Sequence, residues 1–326
     1  MFAKTLPPAI HAFSVLAVLK SLASCRLLIC AQLNSRGWKA FIYKSNPLKR
    51  CIQGLVQRMG LYHRLQASVL FDLYGTIANK QWIIEQRKQR TREIGFYLGL
   101  IRDFKKGDLI FDIGANGGLK SDVFLRMGAK VVAVEPDDLC QSVLKKKFLW
   151  ARLVKKPVVV IGKAVSDKCA VETMWILSPG SGMNTLNQKW IESLRMDTSR
   201  FGEVDFREKK IVETTTIDKL IDDYGMPVFI KIDVEGYEDR ALHGLHRAVP
   251  MLSFEVNLPE FRREGLECIH QLARLHMDGS FNYAVDCGKG LVHDDWLRER
   301  EFLRIFDACQ EKTIEVFWKT SKVRPS

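Results

Sequence analysis

Leu109-Ile110-Phe111-Asp112-Ile113-Gly114-Ala115-Asn116-Gly117-Gly118 carries an apolar run straight into a glycine-rich turn, and residues 120–128 after it read as a helix. In open α/β sheets, ligands bind beyond the carboxyl ends of the strands, near the point where strand order reverses. Glycines at such a turn let the backbone approach a ligand closely. A second acid, Glu135, ends the next apolar run, Lys130 to Val134. A carboxylate there can accept both hydroxyls of a ribose. The spacing separates the nucleotide families that use this geometry. Counting from Gly114, G-x-G-x-x-G fails because position 116 is Asn and position 119 is Leu. The phosphate-binding G-x-x-x-x-G-K-[ST] pattern is also absent. What stands is D-x-G-x-x-x-G, formed by Asp112, Gly114 and Gly118. An acid at the mouth of the turn suits a ligand with a cationic end, such as the amino group and sulfonium of S-adenosylmethionine.

Working outward, short β-rich runs alternate with helical ones. Strands are expected at 108–113, 130–134, 157–165, 227–233, 250–256, 281–286 and 313–319, with helices at 120–128, 137–150, 238–248 and 260–276. That alternation predicts a doubly wound, seven-stranded, mostly parallel sheet of α/β class. Residues 170–215 interrupt it. Two further strands, 171–177 and 209–214, flank the loop 178–184, as an insertion at the substrate end of the sheet would. Trp175, Trp190 and Phe201 in this insertion are placed in the core rather than in a substrate pocket. The charged run from Arg200 to Lys210 reads as a solvated loop.

Lys231-Ile232-Asp233-Val234-Glu235-Gly236 closes the fourth strand. If the segment stays extended, Lys231, Asp233 and Glu235 share a face. Carboxylates there suit a general base and an acceptor for a substrate hydroxyl. Asp233 is the expected base, with Glu235 and Glu255 orienting the substrate. Glu238 is equally well read as a helix-start charge. Asp233 and Glu235 could share Mg²⁺ with substrate oxygens, but no metal is assigned. His243 and His246 read as a solvated face.

Phe111 to Gly118, Val132-Ala133-Val134-Glu135-Pro136 and Lys231 to Glu238 together resemble the signatures of FkbM-like methyltransferases. Ala164-Val165-Ser166-Asp167 and Thr215-Thr216-Ile217-Asp218 follow the same order. The resemblance covers about residues 90–320. It implies a class I, Rossmann-like fold with an antiparallel last strand, S-adenosylmethionine as cofactor, and an adenine site near Val165, Ser166 and Asp167. Asp112, Gly114, Asn116, Gly118 and Glu135 complete the expected cofactor set. Gly117 departs from the family, which commonly carries an apolar residue there.

The expected function is O-methyl transfer to a hydroxyl of a sugar, glycan precursor or secondary metabolite. A nicotinamide-dependent oxidoreductase is the first alternative, and the failed dinucleotide pattern argues against it. A nucleic-acid methyltransferase is the second. Nitrogen methylation of bases calls for Asn/Asp-Pro-Pro-aromatic where Asp233-Val234-Glu235-Gly236 stands, so no nucleic-acid partner is expected. A non-catalytic binding module on the same fold is the third.

The chain's net charge of +12 does not revive the nucleic-acid reading. Residues 1–71 hold ten basic and no acidic residues, leaving 40 basic against 38 acidic beyond them. The basic character is local, and the remainder is nearly neutral. Residues 1–75 are therefore read as a basic extension and 76–326 as the catalytic domain. The apolar stretch 5–19 falls short of the ~20 residues that span a bilayer. Signal and transit peptides are disfavoured, by Lys20 among other features. Ile52, Leu55, Val56, Met59, Tyr62 and Leu65 recur at helical spacing among basic residues. This reads first as an accessory helix, and second as peripheral contact with an anionic membrane. Eight scattered cysteines without CxxC spacing exclude a zinc module and fit reduced thiols in a cytoplasmic chain.

Overall fold

The structure, a computed structural model, describes residues 80–149, 158–196 and 204–320. All belong to one compact unit, Gly75–Ser326. The helix expected at 52–65, the membrane contact and Phe201 lie outside the described residues.

The chain opens with α1 (Lys80–Leu100) and then alternates β1 (Leu109–Ile113), α2 (Leu119–Met127), β2 (Lys130–Val134), α3 (Asp138–Lys147) and β3 (Val158–Ile161). The insertion follows as β4 (Ala164–Val165), β5 (Val171–Ile176), α4 (Gln188–Met196) and β6 (Glu208–Thr215). Then come α5 (Ile217–Tyr224), β7 (Phe229–Ile232), α6 (Glu238–His243), β8 (Met251–Asn257), α7 (Arg262–Leu275), β9 (Ser280–Ala284), α8 (Glu299–Ala308) and β10 (Thr313–Lys319). Seven strands form the main sheet in the order β3-β2-β1-β7-β8-β10-β9. Strands β3, β2, β1, β7 and β8 run parallel, while β10 is antiparallel to both its neighbours. Order reverses between β1 and β7, as in a doubly wound class I methyltransferase fold.

The central strands are buried on both faces, which is why they read as apolar runs rather than alternations. On one face, Phe111, Ile113, Ile230, Ile232, Phe254 and Val316 pack with residues of α4 to α8. On the other, Ile110, Phe229 and Phe317 pack with Tyr97 of α1 and Phe124 of α2. Two helix starts follow from sequence. Asp137 caps α3 by accepting from the amides of Leu139 and Cys140, and Thr216 caps α5 by accepting from that of Lys219.

Two elements differ from expectation. The third strand is split: β3 ends at Ile161, and β4 joins a separate three-stranded sheet, β4-β6-β5. At the break a Cβ on Gly162 would press into the Gln141 side-chain amide, so the chain passes close over α3 as it leaves the main sheet. Helix α1 has no counterpart in the sequence reading because its first half is charged and carries no apolar stripe. Its attachment is in the second half, where Tyr97 is fully buried, and through ion pairs of Arg90 with Asp122 and Glu93 with Lys120. The insertion does contain the two expected strands, paired antiparallel from Val171↔Glu213 to Ile176↔Glu208.

Among the described residues no helix is long and apolar enough to cross a membrane.

Candidate active site

The turn after β1 is fixed by its glycines. Gly114 has φ +78°, and a Cβ on it would overlap the carbonyl oxygen of Asp233. The β1 and β7 chain ends thus meet backbone to backbone. Gly118, at φ +72°, is closed in by Leu144 and Phe148, so it packs α2 against α3 and does not face a ligand. A Cβ on Gly117 meets nothing within 4 Å; the departure from the family leaves open space without altering the turn.

Asn116 takes φ +45°, and its amide donates to Glu135 Oε2 at 2.8 Å. Glu135 Oε1 accepts from the Asp137 amide, also at 2.8 Å. Both carboxylate oxygens are therefore anchored by backbone, and the remaining lone pairs are available to the cleft. Burial drives the Glu135 pKa up to about 7 despite these two bonds, with Asp137 and Asp112 adding to the rise.

Glu135 lies in the wall of a cleft of about 650 Å³, counted with its open mouth, at the carboxyl ends of β1, β2 and β7. Gly114, Asn116, Asp233 and Glu235 share this wall. The insertion loop closes its far side with Ser181, Gly182, Asn184 and Thr185. That loop is latched by Asp137, whose Oδ2 accepts from the Gly180 amide (3.1 Å) and from Asn184 Nδ2 (3.0 Å). Sequence reasoning missed Asp137. The sequence reading placed it only as the first residue of the helix 137–150, and its hold on the loop depends on residues more than forty positions away. Lys163, Met174 and Tyr237 also line the cleft without having been anticipated.

Several expected site residues lie elsewhere. Asp112 is 1% exposed and accepts from the Ser121 hydroxyl of α2. It shares the face of Ile110, which points to α1 and α2, so it is not in the cleft wall. Ser166 is buried behind the wall, its one hydroxyl proton directed to Glu172 at 2.7 Å, with Asp167 Oδ1 3.2 Å away. Asp167 pairs with Arg240 at 3.0 Å. The wall in this region is made by Ala164 and Val165 instead.

Asp233, Glu235 and Glu255 do not share one wall. Strand β7 ends at Ile232, and Glu235 adopts φ +53°, which breaks the expected alternation. The conformation is held by Thr185 Oγ1, which donates to the Glu235 carbonyl at 2.8 Å, and by the Asn187 side chain on the Gly236 carbonyl. Glu238 Oε1 accepts from the Val234 amide at 2.9 Å, so this helix-start acid braces the turn. Glu235 faces the cleft described above, whereas Glu255 lies in a second cavity with Lys231 and Glu315. Asp233 borders both. Its Oδ2 accepts from Lys231 Nζ at 2.7 Å. Burial, then Asp233 and Glu255, raise the Glu235 carboxyl well above its usual range. Trp190 is 2% exposed in the core, edge-on to Phe261, while Trp175 lies under Lys209 Nζ, 3.8 Å from the ring centre. His243 and His246 are exposed. Among the described residues no group of three or more His, Cys, Asp or Glu is arranged to hold a metal.

No curated protein matches the chain. Solved structures give weak overlays. Methyltransferase FkbM from Methylobacillus flagellatus superposes with TM-score 0.41 at 18% identity, over 66% of this chain and 44% of that one. This chain therefore spans less than half of that protein. An O-methyltransferase from Bacillus cereus in complex with SAH gives 0.32 at 14% identity, over 71% and 81%. A putative RNA methyltransferase from Pyrococcus horikoshii gives 0.33 at 13%, over 72% and 83%. The methyltransferase FkbM domain model matches residues 112–283, just over half of the chain, from the glycine turn to β9. The chain belongs to the FkbM methyltransferase family.

Proposed function

We propose that this chain is an S-adenosylmethionine-dependent O-methyltransferase acting on a hydroxyl of a sugar, glycan precursor or secondary metabolite. The observation that carries the reading is Glu135, fixed through both oxygens by backbone amides at the end of β2, in one cleft with Asp233. When bound, the cofactor supplies an activated methyl group on a sulfonium. The fit rests on this cleft. It has the volume of a small-molecule site, a buried acceptor for paired hydroxyls, and the Gly114 turn in its wall.

The chain's own residues then position and deprotonate. Lys231 holds Oδ2 of Asp233, which leaves Oδ1 to accept the proton of the acceptor hydroxyl. In-line attack depends on that alignment. Glu235, retaining its proton, lines the same cleft beside Asp233.

Calorimetric titration should show saturable S-adenosylmethionine binding; binding of NADH in its place would overturn the reading. Asp233→Asn should keep that binding and lose ~10²–10⁴-fold in turnover, the usual contribution of a general base, measured as methyl transfer from labelled cofactor into a polar-metabolite extract. Turnover equal to wild type would remove Asp233 from this role.

Glu135 also makes a pH prediction. Its folded pKa of about 7 lies above the 4.5 of the unfolded chain, so the folded state binds the extra proton between these values. The stabilisation from that proton is complete below pH 4.5 and lost as pH rises through 7. Relative to Glu135→Gln, wild type should lose about 3 kcal/mol of stability between pH 4 and 8. Urea denaturation at the two pH values reads it; parallel stabilities would contradict the assignment.

A further inference from the structure

The second cavity, about 580 Å³ counted with its open mouth, lies on the face of the sheet that carries α1 and α2. Asp233 is, among the described residues, the one residue in the walls of both this cavity and the Glu135 cleft. Its backbone abuts Gly114 and its carboxylate holds Lys231. Asp233 is therefore the wall that the second cavity and the Glu135 cleft have in common.

The lining carries both signs of charge, and its cations are already engaged. Lys120 Nζ lies 2.9 Å from Glu93, and Lys231 Nζ lies 2.7 Å from Asp233. Asp286 and Glu315 remain as carboxylates in excess, while Glu255, whose pKa burial and the neighbouring Asp233 push up to about 8, holds a proton. Glu315 accepts from Ser253 (2.6 Å) and Cys287 (3.1 Å). Asp286 accepts from Gln89 and from the Gly288 amide. Glu255 has only a 3.5 Å approach from the Asn257 amide group, which is too long to satisfy its carboxyl group. A carboxylate only accepts hydrogen bonds. Whatever fills this space must bring donors for Glu315, an acceptor for the Glu255 proton, and no further negative charge.

We infer that the methyl acceptor sits in this second cavity, against Glu255 and Asp233, and is a non-anionic, hydroxyl-rich small molecule of sugar or polyol type. The inference rests on the methyltransferase reading and narrows it. Hydroxyls both donate to Glu315 and accept from the protonated Glu255 without adding charge, and one of them reaches Asp233. Phosphorylated sugars, nucleotide-linked sugars and nucleic acid would bring phosphate against the two excess carboxylates, Asp286 and Glu315, an unfavourable like-charge contact.

The test uses the full chain, labelled S-adenosylmethionine and a polar-metabolite extract, with products separated by anion exchange. Label is expected in the unretained fraction. Val285 borders the cavity and is 49% exposed, so Val285→Trp narrows the mouth without entering the core. That variant should lower labelling at least about tenfold while cofactor affinity stays within about twofold, because shape at the mouth governs only the acceptor. Label retained on the anion exchanger, or released by nuclease, overturns the inference and leaves the methyltransferase reading intact; so does unchanged labelling by Val285→Trp. The charge of the product is read with wild type alone and does not depend on the variant. If the cofactor binds and no fraction is labelled, the methyltransferase reading itself fails.

Discussion

Gly114→Ala should abolish cofactor binding and lower stability by more than about 3 kcal/mol, the range reached when strain and overpacking combine. Alanine at φ +78° would be left-handed, a conformation that costs about 1–2 kcal/mol for a residue with a side chain. Its methyl would in addition overlap the Asp233 carbonyl. That oxygen belongs to the neighbouring chain end and not to the tip of a flexible side chain, so β1 and β7 must part to make room. The same displacement moves Asp233 away from the cleft. Gly117→Ala is the control, since a Cβ there meets nothing within 4 Å. Calorimetric titration and thermal melting of the two variants should differ sharply; equal behaviour would mean that the turn tolerates side chains and that the close approach is not required.

Lys231→Met should be the most damaging change on the other face. The ammonium is 3% exposed, and burial works against its charge. Asp233, Glu315, Glu255 and Asp112 reverse that effect and raise its pKa overall. Removing one partner of a buried ion pair typically costs about 3–5 kcal/mol, because the remaining charge is left without compensation. Here several carboxylates lose the same cation. Glu315, whose carboxyl Lys231 helps to hold below its usual range, is expected to respond by taking up a proton more readily, and the already raised Glu255 more readily still. A raised carboxyl pKa gives stability that is present at low pH and lost as pH rises. The deficit of Lys231→Met should therefore be small near pH 5 and full at pH 8, as urea denaturation at both values would show. A deficit independent of pH would mean that Lys231 acts by filling space, and that the carboxylates do not depend on its charge.

The two variants act on parts of the site that differed in how well the sequence announced them. Strands β1, β2 and β10 fall where apolar runs predict them, because each is buried on both faces and flanked by turn residues. The glycine turn and Glu135 were legible for the same reason: their spacing follows from strand geometry. Asp112 was misplaced because its position in the motif does not tell which face of β1 it takes. The fold turns it to Ser121. Nor does sequence indicate that Glu235 would adopt φ +53°. That depends on Thr185 and Asn187, contributed by the insertion roughly fifty residues earlier. Sequence also placed the three candidate catalytic acids together, whereas β7 ends too early for Glu235 to stay on the face of Lys231. The break after β3 likewise depends on a contact with α3 that only the folded chain supplies.

Glu315 stands opposite Glu255 on one side and Ala284 on the other, while its neighbours Ile314 and Val316 face the apolar layer. Sliding β10 by a single position would turn every one of its side chains over. The carboxylate would then land beside Phe254 and Tyr283, and an isoleucine or valine would face the two lysines. Neither half of that exchange can be solvated, so the charged pocket also serves as a key that admits β10 in one alignment only. Selection that reshaped this pocket for another ligand would be working on the lock that keeps the sheet correctly assembled.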